Sequence, residues 1–298
     1  MSFIDIGLPK SPFYKSLMGC LNEFTTTLTW QFGSHGISTH FTNSSDTIHV
    51  DVFLPKNVCH FYDVDVDDAV IQSKIATNDF YQLFNQMDKF ALVRWTKKRG
   101  DDHHTFVYYF LKSGEKSSDF LLKEISFMGD VPHPITQKTS NIISNPSFTH
   151  HITLSSAVFA QNIEKLGIIN VRTIMISICT THVTLFAYDV SGVMTTVCSG
   201  YLPDWLKQLT TTTTNMTSIP VCQLSPLCIK LSARHLKTCC GIITLGPEVT
   251  LSLSSTDGLL ATCSSAGGEG LIQFAIKPQK NVELPIFSSK GSFDPSFD

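Results

Sequence analysis

Charge is sparse in this chain. Asp, Glu, Lys and Arg make up only 16% of the 298 residues, whereas 42% are hydrophobic. A disordered chain or a coiled coil would need more charge and fewer apolar residues, so a folded globular protein is expected. The formal net charge is −3. The chain as a whole therefore does not attract nucleic acid, and any such binding must come from locally segregated charge.

Long apolar runs are also missing. No stretch approaches the ~18 consecutive apolar residues of a membrane-spanning helix, so no membrane partner is expected. Residues 1–10 contain no basic region followed by an apolar run, and secretion is therefore not expected. The cysteines number 9 and include no C-x-x-C pair, which favours reduced thiols over a disulfide framework.

The motifs of common catalytic and cofactor sites are absent as well. The sequence has no G-x-x-x-x-G-K-[ST], no G-x-G-x-x-G and no H-E-x-x-H. The His103-His104 and His150-His151 pairs lack metal-ligand spacing. An acidic run from Asp63 to Asp68 begins like a calcium loop but lacks its central glycine and final glutamate. We predict no catalytic residue, no metal, no cofactor and no enzymatic activity.

What the sequence does contain is one order of elements that occurs twice. The first half predicts strands at 2–7, 28–33, 37–42, 47–53, 90–97, 105–112 and 119–127, with helices at 11–24 and 77–87. The second half predicts strands at 148–154, 173–179, 182–189, 193–198, 248–255, 258–264 and 270–276, with helices at 155–166 and 232–240. Such a duplication predicts a tandem or ring-like α+β architecture.

The four predicted helices are short and one-sided. In the first, Phe13, Leu17, Leu21 and Phe24 form an apolar stripe, and Ser11 supplies the N-terminal cap before a proline. The other three helices have similar stripes. Helices of this kind pack their apolar face on a sheet. Their polar face does not contribute to the core and must have another function.

Composition also predicts domain boundaries. Residues 128–147 contain three prolines and suit an extended connector. It would join an N-terminal domain of residues 1–127 to a C-terminal domain of residues 148–278. Residues 279–298 are rich in Pro and Ser and are predicted to form a flexible tail.

Short segments along the chain resemble the proliferating cell nuclear antigen family of DNA sliding clamps. In the first half these are Asn22-Glu23, Leu28-Thr29-Trp30, Gly36-Ile37 and Asn43-Ser44-Ser45. In the second half they are Phe159-Ala160, Ile176-Ser177 and Val249-Thr250-Leu251-Ser252. No single segment is very specific. The matches are colinear over residues 2–278, which is nearly the whole chain.

The resemblance implies a DNA clamp fold, with two similar domains that each have β-sheets on the outside and two helices lining a central channel. It implies a homotrimeric ring that encircles double-stranded DNA without sequence specificity. Its implied partners are a DNA polymerase, other clamp-binding proteins and a clamp loader. A Thr-rich stretch at 210–214 and the added tail resemble a viral clamp more than a cellular one, so the expected location is the nucleus or a viral replication site in the cytoplasm.

The resemblance assigns the basic residues off the apolar stripes to the channel. The residues expected to contact DNA phosphates are Lys15, Lys165, Arg234 and Lys237. The family has lysines about where this chain has Gln82 and Asn85, and arginines where it has Gln161 and Glu164. A weaker channel potential is therefore expected, without loss of encirclement.

The family also binds client peptides on its outer face, beneath the connector. The residues of this chain expected at that site are Phe41, Ile142, Ile143 and Pro278. Ile142 and Ile143 could instead only pin the connector to the sheet. Thr42, Thr47 and Gly258 are more polar or smaller than the family's apolar lining, which implies specialised clients.

Three functions remain open from sequence. The leading one is a sliding clamp that serves as a polymerase processivity factor. The second is a subunit of a heteromeric checkpoint-type clamp, or a monomeric or dimeric viral processivity factor of the same fold. The third, of another class, is a structural or capsid β-sandwich protein. For the ring, we predict that unpaired edge strands at 105–112 and 193–198 join the subunits.

Overall fold

The repeated order of elements is present in the computed structural model of the chain. The structure describes residues 2–65, 71–85, 92–98, 103–109, 120–126, 148–167, 171–189, 192–204, 227–265 and 267–279. The connector with Ile142 and Ile143, the Thr-rich stretch and the tail beyond Gln279 lie outside the described residues.

The described part of the first half contains two helices. Its elements are β1 (Ser2–Pro9), α1 (Pro12–Phe24), β2 (Thr27–Gly33), β3 (Gly36–Thr42), β4 (Ile48–Pro55), β5 (Phe61–Val64), β6 (Ile71–Ala76), α2 (Thr77–Phe84), β7 (Leu92–Lys98), β8 (His103–Tyr109) and β9 (Phe120–Ser126). A single 3-10 turn, Lys56–Val58, precedes β5.

The second half follows the same plan. Its elements are β10 (His150–Ser155), α3 (Ser156–Gly167), β11 (Thr173–Ile178), β12 (His182–Asp189), β13 (Gly192–Ser199), β14 (Leu227–Ser232), α4 (Ala233–Ile243), β15 (Glu248–Ser254), β16 (Gly258–Ser264) and β17 (Leu271–Ile276). Each predicted strand and helix has a counterpart here, with ends that differ by a few residues. Residues 86–87, 90–91, 110–112, 119 and 127 of the predicted elements lie outside the described residues. The sequence did not predict β5, β6 and β14, of which β6 and β14 are short and run directly into a helix.

The strands form three antiparallel sheets. The first has five strands in the order β5-β1-β7-β8-β9, and the third has four in the order β13-β12-β11-β14. The second has eight strands in the order β10-β15-β16-β17-β4-β3-β2-β6. Its centre is the β4–β17 pair, which runs from Phe53 opposite Leu271 to Ile48 opposite Ile276. One continuous sheet therefore joins the two halves.

The repeat relates β4 to β13 and β17 to β9, since each pair holds the same place in its half. Within the chain β4 and β17 pair with each other, whereas β13 and β9 each end a sheet among the described residues. The predicted edge at 193–198 is therefore confirmed as β13. The predicted edge at 105–112 is wrong, because β8 lies between β7 and β9. Alternation predicts that a segment is a strand, but it does not predict the order of strands in a sheet.

Aromatic side chains fill the core of the first half. The ring of Phe80 on α2 lies 5.4 Å from Trp30, 5.0 Å from Trp95 and 5.7 Å from Phe106. These three partners belong to β2, β7 and β8, so α2 packs against both sheets of its half. Each such aromatic pair adds about 0.5–1.5 kcal/mol beyond the area that it buries. The corresponding core of the second half is mainly aliphatic.

Two details of the helices differ from what the apolar stripes alone indicate. Tyr14 and Met18 lie off the predicted stripe of α1, but both are fully buried. The reason is a second contact of α1, with α2, where the Tyr14 and Phe84 rings are 6.1 Å apart. The start of α2 also lacks a side-chain cap of the kind that Ser11 gives to α1. The N-cap is Ala76, and the Thr77 hydroxyl donates to the Thr25 carbonyl at 2.6 Å.

The start of α1 is held by a residue of the second half. Ser11 is the N-cap and its Oγ accepts a hydrogen bond from the Phe13 amide at 3.2 Å. Ser11 also donates to the Glu269 carboxylate at 3.0 Å, which accepts from Ser265 at 2.6 Å and from the Gly267 amide at 3.2 Å. Burial raises the pKa of Glu269, but these hydrogen bonds outweigh burial and hold it below its ordinary value. An anion at a helix N-terminus is also favoured by the helix dipole.

We expect Ser11→Ala to lower the free energy of unfolding by about 1 kcal/mol, the usual cost of a lost cap. Glu269→Gln should also destabilise at neutral pH. Because the folded-state pKa of Glu269 is lowered, its contribution is present above the unfolded-state pKa and is lost as pH falls through the folded-state pKa. The difference between wild type and Glu269→Gln should therefore shrink on acidification.

Urea titrations at a series of pH values measure both effects. Glu23→Gln, at the other end of α1, is the matched control and should not destabilise. A Glu269→Gln difference that stays constant down to about pH 3, below the range in which carboxylates ordinarily titrate, would contradict this role for the carboxylate.

Candidate nucleic-acid interface

The four helices form one layer that spans both halves. α2 packs on α1, α1 contacts α4, and α4 packs on α3. Two of these helix–helix contacts are close because one partner presents a glycine. A Cβ at Gly19 on α1 would lie 3.4 Å from Cε2 of Tyr81, and a Cβ at Gly241 on α4 would lie 3.1 Å from Sγ of Cys20. The order across the layer is therefore α2, α1, α4 and α3.

Each helix buries one stripe and exposes another. On α4, Leu236, Cys239 and Ile243 are buried, whereas Arg234, Lys237 and Gly241 are exposed. On α1 the exposed positions are Pro12, Ser16 and Glu23. On α2 they are Asn78, Asp79 and Gln82, and on α3 they include Gln161, Glu164 and Lys165. The solvent face of the layer is thus polar, apart from Ala157 and the exposed Val158 on α3.

All four residues predicted to contact DNA lie off the buried stripes. Lys165, Arg234 and Lys237 are exposed, and Lys15 is half-buried. The neutral or acidic departures from the family, namely Gln82, Asn85, Gln161 and Glu164, are exposed as well. The placement of these side chains agrees with the sequence prediction, and their contact with DNA stays a prediction.

The other titratable groups of the second-half helices are neutral at neutral pH. Burial, with a smaller effect of Arg234, lowers the pKa of His235. Burial raises the pKa of Cys240 to about 12, and Glu164 adds to that rise. The charge of the layer is therefore set by its Lys, Arg, Asp and Glu residues.

A second surface lies where the β3–β4 turn meets the end of β17. The Asn43 side-chain oxygen accepts hydrogen bonds from the Thr47 amide at 2.8 Å and the Ile48 amide at 3.0 Å, which fixes the turn. The Lys277 amide donates to the Thr47 carbonyl at 2.9 Å, and the Lys277 ammonium pairs with the Asp46 carboxylate. The turn and the end of the last strand are therefore connected by a backbone hydrogen bond and by an ion pair.

Two of the predicted client-binding residues flank this junction. Pro278 is half-buried and follows Lys277 directly, and its Cδ lies 2.8 Å from where a Cβ of Gly258 would be. Gly258 has φ +92, a conformation that suits glycine. Phe41 is only 9% exposed and packs on Phe24 at the end of α1, with ring centroids 5.8 Å apart. The side chain of Phe41 therefore belongs to the core, on the face of β3 opposite that of His40 and Thr42, and the prediction that it lines an outer-face site is wrong.

The outer face beside this junction is polar. The Thr42 hydroxyl lies 2.9 Å from Nδ1 of His49, and His40 pairs with Asp51. The hydrogen bond to Asp51 raises the pKa of His40, whereas burial lowers the pKa of His49. Sequence reasoning did not find these pairs or the Asp46–Lys277 ion pair, because they depend on strand register.

A small apolar cluster lies on the same face of the eight-stranded sheet. Phe148, the first described residue after the connector, packs with Leu260 and Ala275. The latter two are opposite each other on β16 and β17, with side chains on the face opposite that of Leu259 and Ile276. Phe148 is therefore anchored on this face of the sheet, beside the strand that leads to Pro278.

Within the described ranges, no group of three or more His, Cys, Asp or Glu side chains could hold a metal ion. His104 is buried, accepts a hydrogen bond from Nε1 of Trp95 at 2.9 Å, and has its pKa lowered by burial to about 3. No helix in the described part of the chain is both long enough and apolar enough to cross a membrane.

Comparison with known proteins identifies the fold. No protein-family model matches the sequence, and no curated protein matches it. The structure is similar to the crystal structure of the proliferating cellular nuclear antigen from Entamoeba histolytica, with a TM-score of 0.71 and 13% sequence identity. The similarity covers 94% of this chain and 100% of that chain. At this level of identity the comparison concerns the fold alone. The chain has the fold of proliferating cell nuclear antigen, the DNA sliding-clamp fold that its sequence predicts.

Proposed function

We propose that this chain is a DNA sliding clamp, a non-enzymatic processivity factor that encircles duplex DNA and tethers a polymerase and other replication or repair proteins. The observation that carries the proposal is the layer of four helices in a clamp fold. The layer crosses both halves, and its polar solvent face carries Lys and Arg side chains off the buried stripes. The proposed place of action is the nucleus or a viral replication site in the cytoplasm.

The proposed ring would close through the two strands that lie at sheet edges. Inside the chain, β4 of one half pairs with β17 of the other. Their counterparts β13 and β9 have one open side each among the described strands. A second copy that pairs its β9 with β13 would reproduce the internal joint between subunits, and head-to-tail repetition closes a ring. Val197 and Met194 on β13 are 56% and 37% exposed, which suits a strand that acquires a neighbour. We propose a homotrimer, as the resemblance implies.

We expect Met194→Asp to dissociate the ring, because Met194 lies on the α3 side of β13, as Thr196 does, and a carboxylate there would be desolvated at the joint. Light scattering should give a multiple of the 33.0 kDa subunit mass for wild type and a single subunit for the variant. Phe53→Asp is the matched control, since Phe53 is similarly exposed but lies on β4, which is paired on both sides.

That control should leave the assembly intact. A wild-type mass of one subunit at micromolar concentration would rule out the homotrimer and favour a monomeric viral processivity factor. Assembly only after addition of a different protein would favour a heteromeric clamp.

The mechanism proposed for processivity is topological. A closed ring stays on DNA without tight or sequence-specific contacts, because dissociation along the duplex requires a free end. A few Lys and Arg side chains then supply weak attraction to phosphates and a smooth field for sliding. The proposed set is Lys15, Lys165, Arg234 and Lys237, with a clamp loader as the partner that opens the ring.

We expect the protein, once loaded on a nicked circular plasmid, to remain bound through gel filtration and to dissociate after the plasmid is linearised. Encirclement predicts this difference, because only the linear form has ends. The measurement is the amount of labelled protein that co-elutes with DNA before and after a single restriction cut. Equal retention on circular and linear DNA would show ordinary binding and would contradict encirclement.

The client site is proposed on the outer face, at the junction of the β3–β4 turn and the end of β17. Ile142, Ile143 and Pro278 are its proposed residues, whereas Phe41, also predicted there, faces the core. The support is the position of Pro278, which directly follows Lys277 where that residue bonds to Thr47 of the turn, and the packing of Phe148 on the sheet. An extended peptide would lie beneath the connector, with backbone hydrogen bonds providing affinity and side-chain pockets providing specificity.

We expect Ile143→Asp to weaken binding of the C-terminal peptide of the cognate polymerase at least about ten-fold, since a charge would replace an apolar contact. Isothermal titration calorimetry measures the affinity. Val158→Asp, on the exposed side of α3, is the control and should bind the peptide normally. Equal affinities for wild type and Ile143→Asp would place the client site elsewhere.

A further inference from the structure

We propose that DNA contact in this clamp is made chiefly by α3 and α4 of the second half, so that each subunit presents one basic sector and one nearly uncharged sector to the duplex. This inference rests on the proposed function, because it assumes that the solvent face of the helix layer faces DNA. It goes further in assigning that contact to one half of the chain.

The second half carries the positive charge of the layer. Lys165, Arg234 and Lys237 are exposed on α3 and α4, and Glu164 is the acidic residue that accompanies them. Arg234 and Lys237 are three residues apart and therefore share one side of α4. No acidic residue lies in the first turn of α4. His235 does not add to this charge at neutral pH, because burial lowers its pKa.

The described helix faces of the first half do not carry such a charge. The exposed faces of α1 and α2 include Glu23 and Asp79. The basic residue of α1, Lys15, is half-buried and already interacts with another group of the chain. The described part of α2, TNDFYQLF, contains no Lys or Arg. Phosphates that pass this half would meet amides, hydroxyls and carboxylates.

The difference in charge between the two halves should act locally on the duplex. At 0.15 M salt the Debye length is about 8 Å, less than the ~10 Å between packed helix axes. The basic side chains of α4 therefore act mainly on phosphates close to them and do not compensate for α2. In a ring, basic sectors would alternate with nearly uncharged ones, and the duplex would be held at the α3–α4 sectors.

The test compares single charge changes in the assembled protein. Binding to a fluorescent linear duplex is measured by anisotropy over a range of NaCl concentrations, and light scattering verifies that each variant assembles as wild type does. Each phosphate contact contributes about 0.9 to the slope of log K against log salt. We expect Lys237→Gln to reduce the slope by about that amount, and Lys15→Gln to change it by less than half as much.

A gain of charge provides the complementary arm. Gln82→Lys adds a cation to the exposed face of α2, and we expect it to steepen the slope and tighten binding. This result would establish that α2 also faces the duplex and that its weak contribution comes from its missing charge. Equal effects of Lys15→Gln and Lys237→Gln, or no effect of Gln82→Lys, would overturn the proposed asymmetry. If wild type retained no DNA in either this assay or the plasmid assay, the clamp function itself would be wrong.

Discussion

The pairing of β4 with β17 is the interaction on which the rest of the structure depends. It connects residues 48–53 with residues 271–276 by a regular antiparallel ladder. Because of it, the eight-stranded sheet passes from one half into the other, α1 and α4 come into contact, and the β3–β4 turn meets Lys277. The Glu269 carboxylate reaches the start of α1 through the same joint. The helix layer and the outer-face junction are both consequences of this one strand pair.

The two surfaces of the molecule follow different physical rules. The helix face has few exposed charges of either sign, which suits a protein that must not bind DNA tightly if it is to slide. The outer face is organised by specific polar pairs, among them His40 with Asp51 and Asp46 with Lys277. Such pairs depend on geometry and suit selective recognition more than sliding. This division between the faces matches the proposed roles of encirclement inside and client binding outside.

Local patterns in the sequence predicted the helices and most strands, since apolar spacing in α1 and alternation in β4 and β15 are regular. They also placed Lys165, Arg234 and Lys237 on exposed helix faces. The order of strands within a sheet could not be predicted from local patterns. β8 was wrongly predicted to be an edge, because alternation does not show that β9 pairs with its open side. The burial of Tyr14 and Met18 was missed for a related reason, since a second helix packs against α1. The Asp46–Lys277 pair could not be predicted, because its partners are 231 residues apart.

The internal β4–β17 joint and the proposed joint between β13 and β9 would share one strand-pairing geometry. They differ because only the internal joint connects two parts of one covalent chain. The internal joint is closed within a single chain, so its two strands remain at high effective concentration even when they separate. It also shares a continuous hydrophobic core across the two halves. A joint between separate subunits would lack the tether. A partner that opens the ring would therefore need to work against only the untethered joint, and the ring would open and reclose between subunits while each subunit stays whole.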